Sequence, residues 1–189
     1  MTTLITDAPS VPRAAPTGAT GRDRDVRPVL VEVLACGKRD HGDDGAAIAA
    51  LEELAPELPV DVTVRLVGQL HIDDLLAVPT GAGAVVVDSA TGLDQGWVVE
   101  VALSAIADPD LEIRTRSSNA LSRPETLGLA SMIRGRPLVG ISVVIGGHSF
   151  RPGDPLSWPV ASGLCTFRVA IADAIERVRL RVVTDARNR

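Results

Sequence analysis

The stretch Ala35-Cys36-Gly37-Lys38-Arg39-Asp40-His41-Gly42-Asp43-Asp44-Gly45 decides the fold. It follows an apolar run, Val29 to Leu34, and precedes an amphipathic one, so it reads as the loop between a first strand and a first helix. In an open α/β sheet, loops at the carboxyl ends of strands are where ligands and chemistry sit. Gly37, Gly42 and Gly45 let the backbone turn tightly, and Asp43 and Asp44 place two carboxylates at a helix start, where the macrodipole favours negative charge. An acidic helix start after a glycine turn also occurs in helices that carry no chemistry. Spacing alone does not choose between a cap and a carboxylate aimed into the crevice.

Working outward, Val29 to Ala35 is nearly all apolar, as expected of a strand buried on both faces of a parallel sheet; Glu32 interrupts it and is read as an edge position or the partner of a base. Ile48, Leu51, Leu54, Ala55 and Leu58 form one helical face that Pro56 and Pro59 terminate. Val60 to Val67 alternates Val62, Val64 and Leu66 against Asp61, Thr63 and Arg65, a strand with one solvated face, and a short helix follows from about His71 to Ala77.

Ala84-Val85-Val86-Val87 is a second buried strand ending in Asp88-Ser89-Ala90, so Asp88 falls just past its carboxyl end, on the same rim as the first loop. After a turn over Gly92 to Gly96 come a strand from Trp97 to Leu103 and a weak extended piece over Glu112 to Thr115. The polar loop Ser117 to Ser122 leads to a helix from about Pro124 to Ile133 with Leu127, Ala130 and Ile133 inward. Leu138 to Ile145 is the last strand, followed by Gly146-Gly147-His148. Ser157 is the expected N-cap of a long helix whose inner face carries Val160, Leu164, Phe167, Ile171, Ala174, Ile175 and Val178. Strands alternating with helices imply a three-layer α/β/α sandwich with a mostly parallel, twisted central sheet.

The domain expected from this pattern spans 28–183, preceded by a disordered extension over 1–27 and followed by a short tail over 184–189. Within 189 residues, 46% hydrophobic content suffices for one filled core. A net charge of −5 without a basic patch argues against nucleic acid, and two Phe, two Trp and no Tyr leave no base-stacking platform. No apolar run approaches the length of a membrane span or secretory signal. Cys36 and Cys165 lack metal-ligand spacing and fit a reducing cytoplasm, so a cytoplasmic protein is expected.

From Val29 to Ile175 the chain resembles the [NiFe]-hydrogenase maturation endopeptidases, peptidase family M52. Ala35 to Asp44 fits the family's first loop, G-x-G-N-x-x-x-x-D-[DE], without a gap. Val86-Val87-Asp88-Ser89-Ala90 resembles its second strand end, and Ser117-Ser118-Asn119-Ala120-Leu121 its S-S-H-x-L segment. Val139-Gly140-Ile141 and Phe150 to Ser157 resemble its closing strand, loop and helix start.

The resemblance implies an endopeptidase that removes the C-terminal extension of a hydrogenase large-subunit precursor after nickel insertion. Asp44 and Asp88 would be the catalytic, metal-binding carboxylates, acting on nickel carried by the substrate or on a substituting divalent cation. Gly37, Lys38 and Asp43 would line the substrate, and the chain would act as a monomer. Asn119 stands where the family has its histidine ligand, Lys38 where it has Asn, and Ala35 where it has Gly; each change opposes tight metal binding. His148 is the preferred replacement ligand, ahead of His41 and His71. Two other classes compete. One is a non-catalytic homologue that binds a hydrogenase subunit or assembly factor. The other is a phosphate-binding domain using the Gly37 to Gly45 loop, which the paired aspartates oppose unless magnesium intervenes.

Overall fold

In the computed structural model, residues 29–107 and 123–188 are described. The expected N-terminal extension, the extended piece over 112–115 and the polar loop with Asn119 lie outside them. Strands β1 (Val31–Cys36), β2 (Val62–Gly68), β3 (Gly83–Ala90), β4 (Val98–Ala102) and β5 (Gly140–Gly146) form one sheet in the order β2-β1-β3-β5-β4. All pairings are parallel except β4 against β5, which is antiparallel. The arrangement is the mostly parallel three-layer sandwich that the strand–helix alternation implies.

The apolar patterning explains the order. All six residues of β1 and seven of the eight in β3 are buried, so these uninterrupted runs take the centre, where both faces are covered. Helix α1 (Ala46–Leu54) and the long α5 (Trp158–Arg187) cover one face: Val31, Val33, Ala35, Val85 and Val87 meet Leu51, Phe167, Ile171 and Ile175 there. Helices α2 (Ile72–Leu76), α3 (Leu103–Ile106) and α4 (Arg123–Arg134) cover the other, where Leu34, Ala84 and Val86 meet Leu75, Leu103 and Leu127. Arg134 joins two of these helices, donating from Nη1 to the carbonyls of Leu75 (3.0 Å), Leu76 (3.3 Å) and Val78 (2.9 Å), which otherwise end α2 without partners.

Several expectations are corrected. Ile133 is 60% exposed, and Thr126 joins Leu127 and Ala130 on the inner side of α4. Helix α5 spans Trp158–Arg187, and Val182, one turn beyond Val178, adds to the expected buried stripe. Ser157 precedes α5 but makes no side-chain capping bond. In β2 the roles of the two faces differ from the pattern: Leu66 is 59% exposed, whereas Arg65 packs inward. Its guanidinium bonds Glu32 Oε1 at 2.7 Å and Asp74 Oδ1 at 2.9 Å, giving the buried Glu32 the base it lacked in sequence.

From β1 the chain departs through α1 toward the β2 edge, and from β3 it departs the opposite way toward β4 and β5. The carboxyl ends of β1 and β3 therefore flank the point where strand order reverses, and loops diverging to either side leave a crevice there.

Candidate functional site

The loop after β1 is shaped by contacts only glycine permits. Gly37 has φ +101°, and a Cβ on it would stand 1.9 Å from the Asp44 carbonyl oxygen. With Gly37 N donating to Gly68 O at 2.7 Å, the loop folds back until Lys38 N donates to Asp44 Oδ2 at 2.9 Å. Asp44 is half-buried in the loop that follows β1, and its Oδ1 has no hydrogen-bond partner among the described residues. Lys38 contributes its amide, while its side chain is exposed.

Asp43 behaves oppositely to its neighbour. It is wholly buried and accepts three backbone N–H bonds: from Ser157 at 2.6 Å on Oδ1, and from His148 at 2.7 Å and Ser149 at 3.0 Å on Oδ2. Burial pushes its pKa up, but the amides of His148, Ser157 and Ser149 outweigh that and hold the carboxyl below the usual carboxylate range. Asp43, expected to line the substrate, has both oxygens committed to joining the β1 loop, the β5 loop and the start of α5.

Asp88 lies inside β3, opposite Val144 of β5, rather than past the end of the strand. Parity with Ala84 and Val86 turns it toward the α2–α4 face, where it is 5% exposed. Its Oδ1 accepts from Ser89 N at 2.7 Å and its Oδ2 is ion-paired with Arg123, the first residue of α4. Cys36 closes β1 and is buried. Burial pushes its thiol up to about 11, Arg123 opposes that rise, and Asp74 and Asp44 add to it. The thiol is therefore protonated and unreactive at neutral pH. Arg123, Asp74 and Asp44 thus lie within electrostatic reach of the Cys36 thiol.

The histidines do not join this cluster. His148 is exposed, its Nδ1 lies 3.0 Å from Gln95 Nε2, and its backbone amide serves Asp43. His41 Nδ1 lies 2.9 Å from Asp40 Oδ1, and His71 starts α2, its amide donating to Asp74 Oδ2 at 2.9 Å. Among the described residues no three His, Cys, Asp or Glu side chains gather to hold a metal ion. With both Asp88 oxygens engaged and His148 turned to Gln95, these residues do not fit a resident metal.

Sequence reasoning missed Arg123. The available signal was a cation beside Pro124 at a helix start, where the macrodipole disfavours positive charge and some carboxylate has to compensate.

No protein-family model matches the chain, and no curated protein does. Solved structures do resemble it. The [NiFe] hydrogenase maturation protease HybD from Thermococcus kodakarensis is 24% identical, with 77% of this chain and 99% of that one covered at a TM-score of 0.59. The hydrogenase maturating endopeptidase HybD from E. coli is 15% identical, with 78% and 93% covered and a TM-score of 0.63. A Hydrogenase 3 maturation protease is 21% identical, with 74% and 87% covered and a TM-score of 0.56. At these identities the shared property is the architecture, and it spans nearly the whole of each of the two HybD structures. The chain has the fold of the [NiFe]-hydrogenase maturation proteases.

Proposed function

We propose that this protein is an endopeptidase of the hydrogenase-maturation type, which removes the C-terminal extension of a [NiFe]-hydrogenase large-subunit precursor once nickel is in place. The observation that carries the reading is the position of Asp44: a carboxylate oxygen without a partner among the described residues, at the strand-order switch of a fold shared with such proteases. Nickel belongs to the substrate, and carboxylates are suitable ligands for a divalent ion presented on it. Asp44 binds that ion or holds the attacking water and accepts its proton, and the Lys38 amide fixes the orientation of the carboxylate. Asp88 is the second carboxylate for the substrate's ion, and Gly37 and the Lys38 backbone form the near wall; of the expected further ligands, His148 faces Gln95 and Asn119 lies outside the described residues. The protein works as a cytoplasmic monomer; among the described residues no helix is long and apolar enough to cross a membrane.

Incubation with nickel-loaded precursor tests this, with mass spectrometry reading loss of the C-terminal segment. Asp44→Asn is expected to lower the trimming rate by about 100-fold or more while leaving the fold intact. Trimming at the wild-type rate in that variant overturns the role given to Asp44.

A second reading is favoured by one observation: Arg123 already neutralises Asp88. On that reading the crevice binds a hydrogenase subunit or assembly factor without cutting it. Stable co-elution with the precursor and no trimming identifies it.

A further inference from the structure

We infer that Arg123 is the resident cation of the crevice: its guanidinium takes the place on Asp88 that a divalent ion needs, so a substrate-borne ion reaches Asp88 only by displacing it. Three observations converge. Asp88 is almost sealed from solvent, and an unpaired carboxylate there is costly, so some cation has to accompany it. The partner it has is a guanidinium, the cationic side chain best suited to a buried ion pair with a carboxylate. Finally, Arg123 sits on the first residue of α4, the end of a helix that repels positive charge, and the side-chain contact that compensates it there is Asp88.

The pair is asymmetric in a way that permits exchange. The Asp88 side chain is 7% exposed and fixed within the sheet, whereas the Arg123 side chain is 32% exposed and carried on a flexible stem at the crevice rim. Displacement therefore asks only for a side-chain rotation, with no rearrangement of the sheet. When the guanidinium leaves, Asp88 Oδ2 is released near the carboxyl end of β3, the strand next to β1. The arrangement discriminates against free metal ions, which lose the competition with an intramolecular cation, in favour of an ion delivered by a docked protein that brings its own binding energy. This selectivity for cargo over free ion rests on the endopeptidase reading; occupancy of Asp88 by Arg123 does not.

Equilibrium dialysis of the full chain against nickel and cadmium chlorides tests the occupancy. Wild-type protein is expected to show no saturable site tighter than about 1 mM, and Arg123→Gln to bind one ion at least roughly tenfold more tightly. Adding Asp88→Asn to that variant should abolish the gain. A micromolar site in the wild type, no gain in Arg123→Gln, or a gain that survives loss of Asp88 each overturns the inference. Should Arg123→Gln fail to fold, the isosteric Asp88→Asn reads the same contact: the Arg123 Nη–H resonances should exchange faster with solvent, and unchanged exchange overturns the pair. Trimming of the precursor is scored separately. Metal uptake behaving as expected without trimming removes the endopeptidase reading alone, while trimming without the Arg123 effect removes this inference alone.

Discussion

Two buried carboxylates, Asp43 in the turn that follows the β1 loop and Asp88 within β3, are satisfied in opposite ways. Asp43 is held by three backbone amides from two other segments, whereas Asp88 is held by one neighbouring amide and one long side chain. Backbone donors cannot turn away without taking their segments with them, so the first arrangement is permanent. A guanidinium on a flexible stem can leave by rotation, so the second is exchangeable. The difference separates a clasp that builds the crevice from a contact that can operate in it.

The strongest way to break this contrast is Asp43→Ala. Three inward amides lose their acceptor, and the expected cost is about 3–5 kcal/mol in urea unfolding. A loss below about 1 kcal/mol would mean that the clasp is replaceable by water. The same carboxylate supplies a pH signature. Its folded pKa is depressed, so its stabilisation is complete above the unfolded value near about 4 and is lost as pH falls through the folded value. Acidification below about pH 4 should therefore destabilise the wild type more steeply than Asp43→Asn, and parallel curves would assign the acid sensitivity elsewhere.

A middle-sized effect is expected at the exchangeable pair. Asp88→Asn and Arg123→Gln should each cost about 1–3 kcal/mol, discounted from the full buried-pair value because Arg123 is one-third exposed. The double variant should cost less than the two summed, by a coupling of about 1–2 kcal/mol. Strict additivity would show that the two side chains do not depend on each other. The smallest effect belongs to His148→Ala, which removes a surface contact with Gln95 and leaves the backbone amide on Asp43. Stability should change by no more than about 0.5 kcal/mol, and cation uptake by Arg123→Gln should be unaffected. Weakened uptake would restore His148 as a ligand.

Much of the architecture was legible in local pattern. The uninterrupted apolar runs of β1 and β3 announced central strands, and the repeat from Val160 to Val178 announced the packed face of α5. The exceptions are instructive. In β2 the alternation named Leu66 as inward and Arg65 as outward, and the structure inverts their burial because Glu32 and Asp74 await a base on the opposite face. The candidate site was legible as a location, through the glycines and acids of the first loop and Asp88 at the same rim. Its division of labour was not, since Asp43 and Asp44 are chemically identical and adjacent.

The amino-acid order by itself determined that apolar strands and helices alternate and that a glycine turn with two acids follows the first strand, since these depend on periodicity and backbone sterics. Tertiary structure decided which carboxylate is spent on amides over a hundred residues away, which faces the crevice, and which is matched by Arg123. The physical reason is that a charged group's role is set by the partners that replace its lost water, and those partners come from distant segments that only packing brings together.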